Sequence, residues 1–445
     1  MKQDTVQCPG RSRLSFIARV SAVILIASSS LPCFAQQVTF RKALEIALKR
    51  SGTLVAATVD RDKAQGAYKE LRSAYLPNVV FGSGLGYSFG VPLTIGGFAP
   101  SLFNVNSQQF LLNFAQRNYI RAARMDLNAA QIDYADKANQ IVLDTALLYI
   151  ELDSLTERLR ALNDEKQLAE RATYITSQRA DVGLDSALEN KRAQLTAARV
   201  AARIADAETS AEILRDKLAR LLGVPAESLQ TDHTSVPPTP EVSQERDAAG
   251  IAVESSSAVK MAGERIKAAE FRAKAEHDQL KPSVDLASQY QVLTKFNNYE
   301  QYYKSFSRNN LSIGAVIKFP LLNFAQRAHA RAADVEVVRA RNDASTIRAQ
   351  VSDDTLKLQR SLRQLSALLQ VAKLEYEVAQ ANVDAVQSRL GTGQANSRDV
   401  ENARIDVTDK YVTYMQAQFD LQRATLQLLR QTNEIQPWAL PAAKP

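Results

Sequence analysis

Seven residues occur twice in this chain. Leu111-Leu112-Asn113-Phe114-Ala115-Gln116-Arg117 returns unchanged as Leu321 to Arg327, 210 positions later. The same offset carries Arg179 onto Arg389, Gly183 onto Gly393 and Glu189 onto Asp399, while Pro77 pairs with Pro282 at an offset of 205. A chain with such self-similarity is built from two like halves, so any element assigned to one half must be workable in the other. The second half has five more residues between its proline and its heptapeptide, which lengthens a loop there. Pro225, Pro237, Pro238 and Pro240 mark residues 223–245 as the linker between the halves.

Each half reads in the same order. Leading helical stretches are expected over 39–74, interrupted at Gly52, and over 247–280, and Pro77 and Pro282 follow their ends. Segments of period two come next. Val79, Phe81, Leu85, Tyr87 and Phe89 alternate with Asn78, Gly82, Gly84, Gly86 and Ser88, and Val284, Leu286, Tyr290 and Val292 alternate with Ser283, Asp285, Gln289 and Gln291. Leu311, Ile313, Ala315 and Ile317 repeat the pattern, and a weaker one runs through Phe103 and Val105. Four strands per chain are therefore predicted, over about 78–89, 103–112, 283–293 and 310–319. Residues 115–182 and 325–390 contain no proline, and at about 1.5 Å per residue each would make a helix on the order of 100 Å long. Their partners are expected over 186–222 and 397–431. Along the last of these, Val400, Ala403, Val407, Tyr411, Tyr414, Ala417, Leu421, Ala424 and Leu428 form a packed seam of threes and fours. The domain reading is a presequence over 1–35, repeats over 36–222 and 246–434, and a tail over 435–445.

The presequence has the form of a secretory signal: Lys2, Arg11, Arg13 and Arg19 precede an apolar run from Val20 to Ala27 and a small-residue site near Ala35. That run is far shorter than the roughly 20 residues of a spanning helix. Removing 1–35 lowers the net charge from +7 to +4, because four bases and Asp4 leave with it. The remaining charges are mixed along helix faces rather than clustered, which excludes a nucleic-acid binder. Cys8 and Cys33 both lie in the presequence, so no disulfide or thiolate metal site is expected in the mature chain. Ser30-Leu31-Pro32 ahead of Cys33 is a poor lipid-attachment sequence.

Alternating segments of about ten residues suit tilted membrane strands, whereas no stretch after residue 35 has the 18 apolar residues of a membrane helix. Four strands cannot close a barrel, and an open edge in lipid leaves backbone groups unpaired. Several copies must then share one barrel; two would give eight strands and three would give twelve.

The duplicated order of helix, strand pair and long helices, the Leu-Leu-Asn-Phe exits at 111 and 321 and the Val-Gly-Leu turn at 182 resemble the TolC-like outer membrane efflux proteins. The resemblance implies a mostly α-helical chain with a membrane β-barrel, assembled as a homotrimer with a twelve-stranded barrel in outer-membrane lipid and a periplasmic tunnel of twelve helices. It implies an exit channel for efflux or type I secretion, working with a periplasmic adaptor and an inner-membrane pump. The adaptor-docking tip would comprise Val182, Gly183 and Leu184 with Gly391, Thr392 and Gly393, and the periplasmic gate would be Asp399 with Glu189. Where members place a tyrosine and an arginine around the second glycine, this chain has Leu390 and Ala395, and the second gate acid is Asn402.

No phosphate loop, nucleophile elbow or paired carboxylates stand out, and His233, His277 and His329 share no metal-binding spacing. Neither an enzyme nor a cofactor is expected. A periplasmic coiled-coil structural or adaptor protein is the alternative; it would explain the helices but not matched strands in both halves.

Overall fold

The computed structural model describes residues 36–84, 101–184, 186–240, 247–293 and 307–441. The presequence, residues 85–89 of the first expected strand and most of both strand-connecting loops lie outside the described residues. In chain order the elements are β1 (Gln36–Val38), α1 (Phe40–Arg50), α2 (Gly52–Ser73), β2 (Asn78–Gly84), β3 (Ser101–Leu112), α3 (Phe114–Asp181), α4 (Ala187–Leu222), β4 (Leu229–Thr231), α5 (Ala248–Ser255), α6 (Ser257–Asp278), β5 (Ser283–Leu293), β6 (Asn309–Lys318), α7 (Phe324–Gly391), α8 (Ser397–Gln431) and α9 (Ile435–Ala439).

Both long helices span 68 residues, and each starts by the same device. The Asn113 side chain accepts the Gln116 N–H and the Asn323 side chain accepts the Gln326 N–H, both at 2.9 Å, supplying partners to donors that the first turn leaves free. The glutamines then tie back to the leading helices: Gln116 donates to the Leu71 carbonyl at 2.6 Å and Gln326 to the Glu276 carbonyl at 2.9 Å. Two breaks divide the leading stretches rather than one. Ser51, whose side chain accepts the Leu54 N–H, separates α1 from α2, and Ser256, at ψ 127°, separates α5 from α6.

The main sheet is antiparallel in the order β2, β3, β5, β6, leaving β2 and β6 as edges. Its register sorts the side chains. Val79, Phe81, Phe103, Val105, Val284, Leu286, Tyr290, Leu311, Ile313 and Ile317 share one face, and Asn104, Asn106, Gln108, Gln289, Gln291 and Ser312 share the other. On the apolar face the Phe103 ring lies 5.9 Å from Phe81 and 5.8 Å from Tyr290.

The expected count of four strands is too low: the described residues contain six. Three-residue β1 pairs in parallel with β4, inside the stretch expected as a plain linker. Tyr149 at the middle of α3 pins this pair. Its buried hydroxyl donates to the Val38 carbonyl and accepts the Asp232 N–H, both at 2.7 Å. Around it Phe40, Leu44, Val142, Leu152, Leu218, Leu222, Leu426 and Ile435 form the main core, drawn from α1, α3, α4, α8 and α9.

Candidate functional site at the helical tips

The turns after α3 and α7 are built alike. Gly183 and Gly393 adopt φ of 74° and 73°, a left-handed conformation that a side chain would strain. Leu184 N–H bonds the Arg179 carbonyl at 2.8 Å and Gln394 N–H bonds the Arg389 carbonyl at 2.9 Å. With Gly183 and Gly393 N–H bonded to Ala180 and Leu390, these are two Schellman closures that satisfy the last helical carbonyls. The turns differ in what they present. Val182 and Leu184 are 69% and 67% exposed, an apolar pair where a turn is ordinarily polar, whereas Gly391, Thr392 and Gly393 present little beyond backbone.

Glu189 and Asp399, the two acids expected at a gate, lie one turn into the returning helices. Ser186 caps α4 by accepting the Glu189 N–H, and Asn396 caps α8 by accepting the Asp399 N–H. The Asp399 carboxylate reaches back to the Asn396 N–H at 3.0 Å, closing a capping box. Both acids favour the positive end of a helix dipole. Glu189 has a second role: one oxygen accepts from Arg192 at 2.8 Å and the other from Arg398 at 3.2 Å. The structure thus brings Glu189 beside the start of α8, where Arg398 supplies a cation. Arg398 is not evident in the sequence because it lies five residues after Gly393, on the helix rather than in the turn.

Further along the bundle is a charged cluster that an expectation of solvated helix faces did not foresee. Glu165 of α3 is fully buried and pairs with Arg203 of α4, which also pairs with Asp409 of α8. Burial, with the neighbouring Asp409 charge, pushes the Glu165 carboxyl up to about 7 despite the opposing Arg203. Burial opposes the Arg203 charge, but its two acids prevail and its pKa is raised. Beside this trio a cavity of about 500 Å³ lies among α3, α4 and α8, lined by Arg158, Asp206 and Gln416, and Arg158 donates to Gln416 at 2.7 Å. His233 pairs with Asp153 and His277 with Asp334, and no group of three or more metal-ligating side chains occurs among the described residues. No described helix is long and apolar enough to cross a membrane.

Against known proteins, a sequence model of the outer membrane efflux protein family matches residues 43–224. A search of curated proteins returns no match. Among solved structures, the outer membrane protein VceC of Vibrio cholerae is 18% identical, with a TM-score of 0.70 over 88% of this chain and 95% of that one. The CmeC outer membrane channel of Campylobacter jejuni is 14% identical, with a TM-score of 0.70 over 89% and 85%. The MtrE outer membrane channel of Neisseria gonorrhoeae, in its open state, is 15% identical, with a TM-score of 0.65 over 91% and 92%. The chain shares the fold of these three solved structures over most of its length. The chain resembles the outer membrane efflux proteins, through its sequence between residues 43 and 224 and through its fold over most of its length.

Proposed function

We propose that this protein is the outer-membrane exit channel of a tripartite efflux or type I secretion system, and not an enzyme. The observation that carries the reading is a four-stranded sheet with one apolar and one polar face and two open edges, joined to helices of 68 residues. Three copies joined edge to edge, β2 to β6, give a twelve-stranded barrel with its apolar face toward lipid and its amides toward water. The long helices of three copies give a twelve-helix periplasmic tunnel. Val182 and Leu184 meet a helix of the periplasmic adaptor, whose own partner is the inner-membrane pump. Asp399 lines the closed mouth, and the Glu189 to Arg398 link holds that mouth shut in place of the missing tyrosine and arginine.

Fractionation tests the reading: a heat-modifiable trimer in the outer membrane supports it, and a soluble periplasmic protein sinks it. Val182→Asp should abolish export while the trimer still assembles. In planar bilayers Asp399→Ala should lose divalent block and cation selectivity, and Arg398→Ala should raise the resting conductance. An Asp399→Ala channel with full selectivity would return that residue to a purely capping role.

A further inference from the structure

Folding accounts for only part of the repeated heptapeptide. In each copy the asparagine caps the long helix and the glutamine ties it to the leading helix. Leu111, Leu112, Phe114 and Arg117, like Leu321, Leu322, Phe324 and Arg327, do neither, and all eight are exposed. Leu321 and Leu322 are 81% and 78% exposed, and Leu76 and Phe319 extend the apolar surface. Starting a helix requires none of this.

The placement of these residues points to a partner. Leu112 pairs with Val284 on the apolar face of the sheet, so the patch continues that face to the base of the strands. The cations come next, on the helix side. Lys281 Nζ lies 5.6 Å from the centre of the Phe114 ring, and the Arg327 guanidinium lies 5.7 Å from that of Phe324. Arg117 and Arg327 have no ion pair with an acid among the described residues.

We propose that both copies of the heptapeptide bind the headgroups of anionic phospholipids in the periplasm-facing leaflet, the leucines and phenylalanine lying at the acyl boundary and the arginine taking the phosphate. This rests on the channel reading, in which neighbours join at β2 and β6 and the apolar face is left to lipid. Leucine and phenylalanine beside basic side chains suit the boundary between headgroups and acyl chains, and a guanidinium matches phosphate geometry. Two separated copies kept alike in sequence and in exposure are explained by a surface that surrounds the barrel.

The test uses the full-length chain extracted in detergent, with phosphatidylglycerol or phosphatidylcholine added, reading the temperature of trimer dissociation and the affinity for each lipid. Wild type should be stabilised more by phosphatidylglycerol. The Arg117→Gln/Arg327→Gln variant should lose that preference, with affinity falling roughly fivefold per site. Arg339→Gln, another exposed arginine of α7 farther from the sheet, should keep it. An unchanged preference in the double variant overturns the proposal. A double variant whose trimer dissociates equally early in both lipids also overturns it, assigning the arginines to subunit contact. A wild-type chain that forms no outer-membrane trimer removes the channel reading itself.

Discussion

The helices α3 and α7 begin from the same seven residues and run for the same 68 positions, yet they bury very different surfaces. In α3, 21 residues are buried; in α7, seven are. The middle of α3 is enclosed, with Tyr149, Leu152 and Val142 packed among α1, α4, α8 and α9. On α7 Leu368, Val371, Leu374 and Val378 follow one another at spacings of three and four, and all are about half or more exposed. A coiled-coil stripe of that kind is a face without its partner. The contrast extends to the charges: Glu165 is buried under Arg203, while Glu375, its counterpart at the 210-residue offset, is exposed and bonded to Lys410 at 2.9 Å. α3 thus lies at the centre of the single chain's fold, and α7 carries a surface that a second copy covers in the trimer proposed above.

The most severe break of this contrast is charge on the α7 stripe. Val371→Asp with Leu374→Asp should eliminate the heat-resistant trimer while helical circular dichroism is retained; a trimer of normal stability would show that the stripe faces no neighbour. Next comes truncation in the enclosed half. Leu152→Ala, at 2% exposure, should cost about 2 to 5 kcal/mol in urea unfolding of the dissociated chain. Leu374→Ala should stay within about 0.5 kcal/mol in the same assay.

How much of this was legible in the sequence depends on the length of each pattern. Helices of 68 residues declare themselves through dozens of positions without proline, and β5 and β6 alternate cleanly enough to be bounded within a residue or two. The alternation of β3 is weak because Ser107 and Gln109 fall on its apolar face, although it is the longest strand described. Strands of three residues such as β1 and β4 are too short to show a period, and Pro-rich surroundings read as linker. The tip glycines were legible from their place between helices. Glu165 was not, because an acid on a charged helix looks solvated until another helix is known to cover it, and Arg398 became visible only through its contact with Glu189 across α4 and α8.

A smaller effect should separate Glu165 from Glu375. A carboxyl whose folded pKa is raised to about 7 contributes stability that is fully present below its ordinary value and is lost as pH rises through 7. Unfolding midpoints should therefore fall between pH 5 and pH 8. Glu165→Gln should flatten that decline, whereas Glu375→Gln should leave it intact. The least effect is expected where the halves are most alike: Asn113→Ala and Asn323→Ala should each cost about 1 kcal/mol, equally within error. A difference between them in thermal unfolding would show that the shared caps are loaded differently.

The pairing of β1 with β4 also sets an order of events. Gln36 lies opposite Leu229, so the residues of β1 can find their backbone partners only after some 190 more have been synthesised. Closing so long a loop is slow, and until then the Tyr149 hydroxyl lacks both the carbonyl and the amide it will hold. The segment between β1 and β4 must therefore wait in an unfinished state, with apolar residues of α1 and α3 incompletely covered. A holding chaperone would be needed most during this interval.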